Sequence, residues 1–249
     1  MTAILIFFFA HYFLAVLAQT FFLHRYASHG MFTMNKFWER FFHIFTLVAQ
    51  GPSFLEPYSY AVLHKMHHAH SDTPQDPHSP VQTKNLFHMM WQTKQIYSGI
   101  LSRRVIPEPA FDAPEAPRWP LIDQFAHHWP WRILSGSVFV FFYMAFVPEG
   151  MWYLYLLVPV HWVIGPIHGA IVNYCGHRIG YVNFRKTKDN SRNSLPIDLL
   201  TFGELFQNNH HGRAQSPNFA ARWWEIDPGY QFVRIMNRLG VIQLRRAPA

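Results

Sequence analysis

Residues 3–23 read AILIFFFAHYFLAVLAQTFFL, an apolar run long enough for a helix that crosses a lipid bilayer. A secretory signal peptide is the alternative interpretation, because it also places an apolar core near the N-terminus. A signal peptide has a basic segment before a shorter apolar core. Here only Met1 and Thr2 precede the run, and it continues to Leu23. We therefore predict a transmembrane helix over residues 3–23.

Two more apolar stretches, residues 133–148 and 151–172, are separated by a Glu-Gly pair. They predict a transmembrane hairpin whose first arm is short, so that it tilts little or crosses where the bilayer thins. The segment between them and the N-terminal part is polar, and its proline-rich stretch 107–120 predicts an irregular loop. The expected fold class is all-α, with about three transmembrane helices.

Residues 37–50 look apolar, but their polar members recur at three- to four-residue spacing and form one stripe on a helix. These members are Glu39, Arg40, His43, Thr46 and Gln50. The stripe predicts an amphipathic helix that lies in the membrane interface. Residues 232–239 alternate in a similar way, so we expect a second interfacial helix there.

The composition fits a chain that lies partly in lipid and partly in water. Half of the 249 residues are hydrophobic (50%), and 14% are charged, against about 25% in soluble domains. The net charge of +7 suits anchoring to an anionic membrane leaflet. Nucleic-acid binding is the alternative, but no dense run of Lys and Arg is present, so we expect no nucleic-acid partner. A single cysteine, Cys175, excludes an intrachain disulfide.

Histidine is the residue that points to chemistry in this sequence. Its 17 copies include a pair five residues apart after the first apolar run, and two groups that contain adjacent histidines in polar segments. The clusters are His24 and His29; His64, His67 and His68; and His210 and His211, with His177 alone after the hairpin. Such spacing indicates a metal site, although imidazole suits Fe, Zn, Cu and Ni alike.

Helical geometry predicts how the clusters present their rings. Residues i, i+3 and i+4 share one face of a helix, so His64, His67 and His68 can present two or three imidazoles to one side, and His210 and His211 can add two more. His24 and His29 are five residues apart, which separates them by about 140° on a straight α-helix. Either the helix unwinds near His29, or the two rings serve different ions.

Membrane topology gives an independent argument for a shared site. If residues 37–50 lie in the membrane plane, three crossings bring every histidine cluster to one face, whereas a crossing there would separate them. Most charged residues lie on that face, so the excess of Lys and Arg predicts that it is cytoplasmic and that the N-terminus is on the opposite side. We expect a cytoplasmic helical cap that holds the histidines, within a single membrane domain covering residues 1–249.

These motifs resemble those of the membrane fatty acid desaturase family, and its acyl-CoA (stearoyl-CoA, Δ9) branch in particular. The family carries an HxxxxH box, an HxxHH box and a second HxxHH-type box, and the sequence is similar in this order along nearly all its length. The similarity extends to residues 71–78 after the second box, to the NxxxH pattern of Asn173 and His177, and to Gly203 and Glu204 before the third box.

The resemblance implies an enzyme that uses O2 to introduce a cis double bond into a long-chain fatty acyl substrate at a pair of iron ions (Fe2+/Fe3+). It implies that the ligands are His24, His29, His64, His67, His68, His177, His210 and His211. It also implies that Asn173 is an outer ligand acting through water. Residues expected to support the ligands are Glu204, Asn208 and Asp76, with His70 and His78 as further candidates.

The sequence departs from the family pattern in two places. Gln207 stands where family members commonly have a histidine, so it is a weak ligand, a water-mediated ligand or an open iron position. The family commonly has two helices before the first box, and this chain has room for one. We expect a short family variant or a helix supplied by a partner subunit.

Two other functions are alternatives to desaturation. A fatty acyl or lipid hydroxylase, or another di-iron oxidation, can use the same scaffold, and Gln207 adds weight to it. A membrane metal transporter would place its ligands near the bilayer midplane, whereas here they follow the apolar segments.

Desaturation also predicts the partners. These are membrane lipid and a separate electron-donor protein of ferredoxin, rubredoxin or cytochrome b5 type, because the sequence shows no fused haem or flavin domain. Basic residues that can bind an acidic head group or donor are Arg103, Arg104, Lys186, Lys188 and Arg192. Candidates for an apolar acyl tunnel are Phe22, Phe54, Tyr58, Tyr60 and Trp91.

Overall fold

The computed structural model describes residues 1–245, and most of the regular structure in that part of the chain is helical. The α-helices are α1 (Thr2–Leu17), α2 (Lys36–Gln50), α3 (Pro57–His70), α4 (Leu86–Leu101), α5 (Pro120–His127), α6 (Trp129–Phe146), α7 (Val158–Trp162), α8 (Ile164–Gly176), α9 (Gln207–Gly212) and α10 (Pro228–Arg238). Two three-residue strands, β1 (Phe32–Met34) and β2 (Ile242–Leu244), pair antiparallel. The predicted all-α class is confirmed apart from this pair.

Local sequence explains where several helices begin. The side chain of Asn35 accepts a hydrogen bond from the backbone N–H of Trp38 and caps α2. Asn85 caps α4 and Asp227 caps α10 in the same way. Such caps satisfy N–H groups that have no partner inside the first helical turn.

The N-terminal helix is longer than the sequence predicted. α1 continues into π-helical turns over Ala18–Ser28, and the combined Thr2–Ser28 helix has 27 residues and a mean hydropathy of 2.0. It is the one helix in residues 1–245 that is long and apolar enough to cross a membrane, or one of two if a bent pair, Trp152–Trp162 and Ile164–Gly176, is counted as one span. Three transmembrane helices therefore stay a prediction.

The second arm of the predicted hairpin, 151–172, is not a continuous helix. A 3-10 segment, Trp152–Leu157, leads into α7, and the axis then bends by 74° before α8. Val163 leaves helical geometry at the bend (φ −125°, ψ 27°). Pro166 lies in the first turn of α8, where a missing N–H breaks no helical hydrogen bond. The first arm also differs, since α6 begins at Trp129 rather than at residue 133.

The amphipathic helix predicted at 37–50 is present as α2, with its polar side turned inward. His43, Thr46 and Gln50 are buried, and His43 Nε2 lies 2.7 Å from Asp123 Oδ1. The outer face is apolar, and its exposed members are Phe37, Phe41, Ile44 and Val48. A helix on a water-soluble protein has the opposite arrangement. This orientation supports the prediction that α2 lies against lipid.

The largest hydrophobic core joins the π-helical turns to the C-terminal part of the described chain. Phe21 and Phe22 pack there with Phe32 of β1 and Val233 of α10. α10 therefore contributes to the core, and only part of its apolar side is free, with Ile235 49% exposed. The predicted irregular loop is confirmed, because no helix or strand lies between α4 and α5.

Candidate metal centre

Five histidine side chains converge where the π-helical turns, α3 and α9 meet. One ring nitrogen of each lies within 4.8 Å of the others. The Nε2 atom of His210 is 3.0 Å from that of His24 and 3.0 Å from that of His68. We call this group the first cluster, and its members are His24, His29, His64, His68 and His210.

The π-helical turns explain how His24 and His29 reach the same cluster. The backbone N–H of His29 donates to the carbonyl of His24 over 3.2 Å. Since a π-helix closes its hydrogen bonds between residues i and i+5, residues five apart are one turn apart. The two rings therefore point the same way. Of the two predicted alternatives, a departure from the straight α-helix is the one observed, since the turns widen to π-helical geometry over Ala18–Ser28, and the alternative of separate ions does not match the shared cluster.

The protonation of His24 shows that the first cluster suits a cation. Its Nδ1 lies 2.5 Å from a carboxylate oxygen of Glu204, which can only accept, so Nδ1 carries the proton and Nε2 presents a lone pair. Two nitrogens bonded to one ion at about 2.1 Å and at a right angle lie about 3.0 Å apart. The separation of His24 Nε2 and His210 Nε2 is 3.0 Å. The first cluster therefore has the donors and the spacing for a metal ion.

A second group of three histidines lies beside the first and follows a more regular plan. Each ring has its Nδ1 atom against a carboxylate, while its Nε2 atom is buried and finds no hydrogen-bond partner within residues 1–245. The pairs are His67–Asp76 (3.0 Å), His177–Asp72 (3.0 Å) and His211–Asp189 (2.5 Å). The ligand nitrogens lie within 4.8 Å of one another. We call His67, His177 and His211 the second cluster, which also fits a metal ion.

Electrostatics keeps residues of the second cluster in the form that metal binding needs. Burial raises the pKa of Asp72 and of Asp189, but hydrogen bonds from His177 and His211 outweigh it and hold both pKa values below the ordinary range. Burial, followed by the charge of His78, holds the pKa of His67 well below its usual value. His67 is therefore neutral, and Asp72 and Asp189 are ionised, at neutral pH, which are the forms that metal ligation requires.

The two HH boxes each serve both clusters. His64 and His68 are four residues apart on α3 and join the first cluster, whereas His67 points into the second. In α9, His210 joins the first cluster and His211 the second. Adjacent helical residues diverge by about 100°, so each HH pair reaches two places. Of the two or three α3 rings predicted to share one side, two do so, and His67 is the one that points elsewhere.

All eight predicted histidines are thus brought together, and two of the three residues expected to support them contact clustered histidines. Glu204 and Asp76 contact His24 and His67. Asn208 does not touch a clustered histidine, and its side chain instead bonds the backbone of residues 183–184. His78 packs on His67 at a ring distance of 4.2 Å, whereas His70 lies against Phe111.

Sequence reasoning missed two carboxylates and one cation of the site. Asp72 lies in the stretch after the second box, so its closeness in sequence to the box could have predicted that it supports a histidine. Asp189 lies in a loop, and only the fold brings it to His211. Arg25 is fully buried and pairs with Asp227 at 2.8 Å, while one of its nitrogens lies 3.4 Å from Glu204.

A mainly apolar cavity of about 1140 Å³ reaches both clusters. His24 and His64 of the first cluster and His67 of the second line it, together with apolar residues of α4, α6 and α8. Of the predicted tunnel residues, Phe54, Tyr60 and Trp91 line the cavity. Phe22 and Tyr58 do not, because they pack in or against separate hydrophobic cores.

Gln207 and Asn173 also face this cavity. The amide of Gln207 donates to the backbone carbonyl of Glu204 over 3.0 Å. A Cβ atom on Gly176 would lie 2.3 Å from Gln207 Cγ, so glycine is needed beside His177 for Gln207 to pack there. Gln207 therefore lies next to the second cluster.

Replacing Asp189 by asparagine should weaken metal binding at the second cluster, because His211 loses the charge that orients and polarises it. We expect a loss of about 10- to 100-fold in affinity for the second ion, with the first unchanged. Titration of the purified protein with Fe2+ under anaerobic conditions, followed by metal analysis, measures both sites. Asp112→Asn, whose carboxylate contacts Tyr58 away from the clusters, is the control. An equal loss at both sites would contradict the assignment.

Comparison with known proteins identifies the family. The model of the fatty acid desaturase family matches residues 2–234. The chain belongs to the fatty acid desaturase family. Its desaturase relatives make it an oxidoreductase of lipid metabolism, and members of the family are typically membrane-bound and generally dependent on a di-iron centre.

Individual desaturases are similar over most of this chain. A "Delta-9 desaturase-like 5 protein" of Arabidopsis thaliana is 30% identical over 94% of the chain and 73% of the relative. A "Hex-5-enoyl-[acyl-carrier protein] acetylenase" of Moorena producens is 28% identical over 88% of the chain and 70% of the relative. An "sn-1 stearoyl-lipid 9-desaturase" of Synechocystis is 29% identical over 90% of the chain and 66% of the relative.

Proposed function

We propose that this desaturase holds two iron ions, one in each histidine cluster, and uses O2 to form a cis double bond in a long-chain fatty acyl substrate. One observation carries the proposal: the apolar cavity is lined by histidines of both clusters. A methylene chain has no polar handle, so it must be positioned by shape. A mainly apolar cavity that meets both clusters can hold such a chain beside them.

The proposed reaction balances with one O2 and two electrons. Two C–H bonds on adjacent methylenes break and one C=C bond forms, which oxidises the chain by two electrons. O2 accepts those two electrons and two more from a separate one-electron donor protein. The two hydrogens removed from the chain and two protons from solvent supply the four hydrogens of the two water molecules that form. Iron, when bound, supplies the O2 activation that this oxidation needs.

The protein's own residues orient and isolate the reacting carbons. Asp72, Asp76 and Asp189 fix the rings of the second cluster through their Nδ1 atoms, which leaves the Nε2 atoms as the donors that would hold an ion. Glu204 does the same for His24. Apolar walls such as Phe54 and Val172 exclude water from the chain. Fixed ligands and a dry cavity position one CH2–CH2 unit beside both ions.

We further propose the orientation expected from the sequence. Thr2–Ser28, α6 and the bent α7–α8 pair are the three crossings, and both clusters lie on the cytoplasmic face with the N-terminus opposite. The inward polar stripe of α2 supports this, because a helix with an apolar outer face lies at the membrane surface. The electron donor then reaches the site from the cytoplasm.

Gln207 is the observation that favours a hydroxylase as the second candidate function. It places a neutral amide beside the second cluster, where the family commonly has a histidine. Insertion of oxygen into one C–H bond would then replace removal of the second hydrogen.

Gln207→His tests this position. A further imidazole beside the second cluster should slow loss of its iron to a chelator by about tenfold, the low end of effects seen for residues that support a metal site. Iron release after rapid mixing with a chelator measures the rate. Unchanged release, with the variant folded and first-cluster iron normal, would show that the residue at 207 does not approach the ion.

Expression in a host that lacks the expected double bond tests the proposed function itself. Fatty acid profiling by mass spectrometry should show a new monounsaturated species with the wild-type protein and none with His67→Ala. His88→Ala, which changes an exposed histidine of α4, is the matched control and should retain the product. Absence of any unsaturated product from the iron-loaded protein with a working donor would refute desaturation, and a hydroxylated fatty acid would favour the second candidate.

A further inference from the structure

The mouth of the acyl cavity is bordered by large apolar side chains that no other part of residues 1–245 covers. Phe87 and Trp91 of α4 are 84% and 55% exposed, and Trp129 and Ile133 of α6 are 73% and 61% exposed. All four line the cavity. Apolar surface of this size at a ligand site indicates contact with lipid or with an apolar partner.

Two cations stand at this mouth without a carboxylate partner. The side chain of Arg132 makes no hydrogen bond or ion pair within residues 1–245, and its Nε atom is buried and unpartnered. Lys94 lies over the Trp91 ring at 4.6 Å and has no ion pair in the same part of the chain. Both line the cavity. A half-buried, unpaired guanidinium at an apolar opening is costly unless an anionic group of the ligand completes it.

The mouth also continues into the outer face of a proposed membrane helix. Arg132 lies in the first turn of α6, and the exposed side chains that follow on this helix are Ile133, Leu134, Val138, Phe141, Met144 and Phe146. Tryptophan and basic residues at one end of an apolar helix face mark the headgroup level of a bilayer. The bend at Val163 belongs to the same opening, because Trp162 and Val163 line the cavity.

We propose that the substrate is the acyl chain of a membrane phospholipid, which enters sideways from the bilayer while Arg132 and Lys94 bind its phosphate. This inference rests on the proposed function and names its substrate class. The lipid keeps its phosphate at the headgroup level, and one acyl chain turns into the cavity towards the two clusters. A coenzyme A or carrier-protein thioester would approach through water and would meet an exposed apolar border, whereas a lipid covers it.

Photocrosslinking tests the entry route without needing turnover. The full-length protein is placed in nanodiscs that contain a phosphatidylglycerol with a diazirine near the end of one acyl chain, and crosslinked peptides are mapped by mass spectrometry. Labels are expected on α4, α6 and α8 residues that line the cavity. Labels confined to outward-facing residues such as Phe141 and Met144 would overturn the proposal.

Variants at the mouth test the phosphate contact. Arg132→Gln should reduce labelling inside the cavity by about fivefold, the effect of one basic residue near lipid phosphate. Arg132→Lys should restore most of it. Arg234→Gln, on the exposed side of α10, is the control and should label normally. Equal labelling by Arg132→Gln and the wild type would refute the contact.

Turnover separates failure of this inference from failure of the proposed function. The iron-loaded protein with a reductant receives stearoyl phosphatidylglycerol in nanodiscs, stearoyl-CoA or a stearoyl carrier protein. Desaturation of the lipid alone supports the inference. Desaturation of a thioester with an inert lipid would overturn lateral entry but leave desaturation standing, and no product from any substrate would refute both.

Discussion

Alanine at His210 is expected to remove the ion of the first cluster, and alanine at His211 that of the second. The two residues are neighbours in α9, yet their rings belong to different clusters. Each variant should therefore bind one iron per chain where the wild type binds two, and both should lose desaturation by at least about 100-fold, since each ion is needed and even residues that only support ligands change activity by that amount.

Metal analysis together with Mössbauer spectra of 57Fe-loaded protein distinguishes the two variants. His210→Ala should retain the iron that sees three imidazoles, and His211→Ala the iron that sees five. His88→Ala, exposed on α4, should retain both ions and activity. Loss of both ions from each variant, with the protein still folded, would show a single coupled centre instead of two separable sites.

Replacing Arg25 by methionine should destabilise the protein by about 3–5 kcal/mol, the cost of leaving a buried charge without its partner. Arg25 is fully buried, and its guanidinium lies 2.8 Å and 3.1 Å from the two oxygens of Asp227. It also lies over the Phe219 ring at 4.0 Å. Without it, Asp227 and Glu204 keep their negative charges in an apolar setting.

Thermal unfolding in detergent micelles, with and without iron, measures this loss. Changing both partners, Arg25→Met with Asp227→Leu, should recover part of the stability because no charge is then left alone. Lys36→Met is the control, since the Lys36–Glu39 pair is on the surface and is expected to contribute less than about 1 kcal/mol. A similar small effect of Arg25→Met would contradict the role given to the buried pair.

The sequence indicated the histidines that gather but not how they divide between the two clusters. The HxxHH spacing indicated that imidazoles lie near one another, because residues three and four positions apart are neighbours on a helix. The π-helical turns that align His24 with His29 depend on how Thr2–Ser28 packs, and no pattern in the sequence predicted them. Which cluster His67 joins likewise follows from its position opposite His177, 110 residues later in the chain.

The sequence also predicted the apolar helices only in part. Apolar runs predicted where helices lie, and α2 matches its polar stripe closely. The sequence did not predict the 74° bend between α7 and α8. The apolar composition continues through Val163, and composition alone does not indicate where a helix axis changes direction. Asp189 was missed because a carboxylate in a loop can serve any neighbour that the fold brings to it.

Turnover under 18O2 tests the central claim most directly. The iron-loaded protein in nanodiscs, given a reductant and a saturated acyl substrate, should yield a fatty acid two hydrogens lighter than the substrate, with no 18O in the product and the label recovered in water. A product that carries 18O on the acyl chain would contradict desaturation and assign this site to hydroxylation.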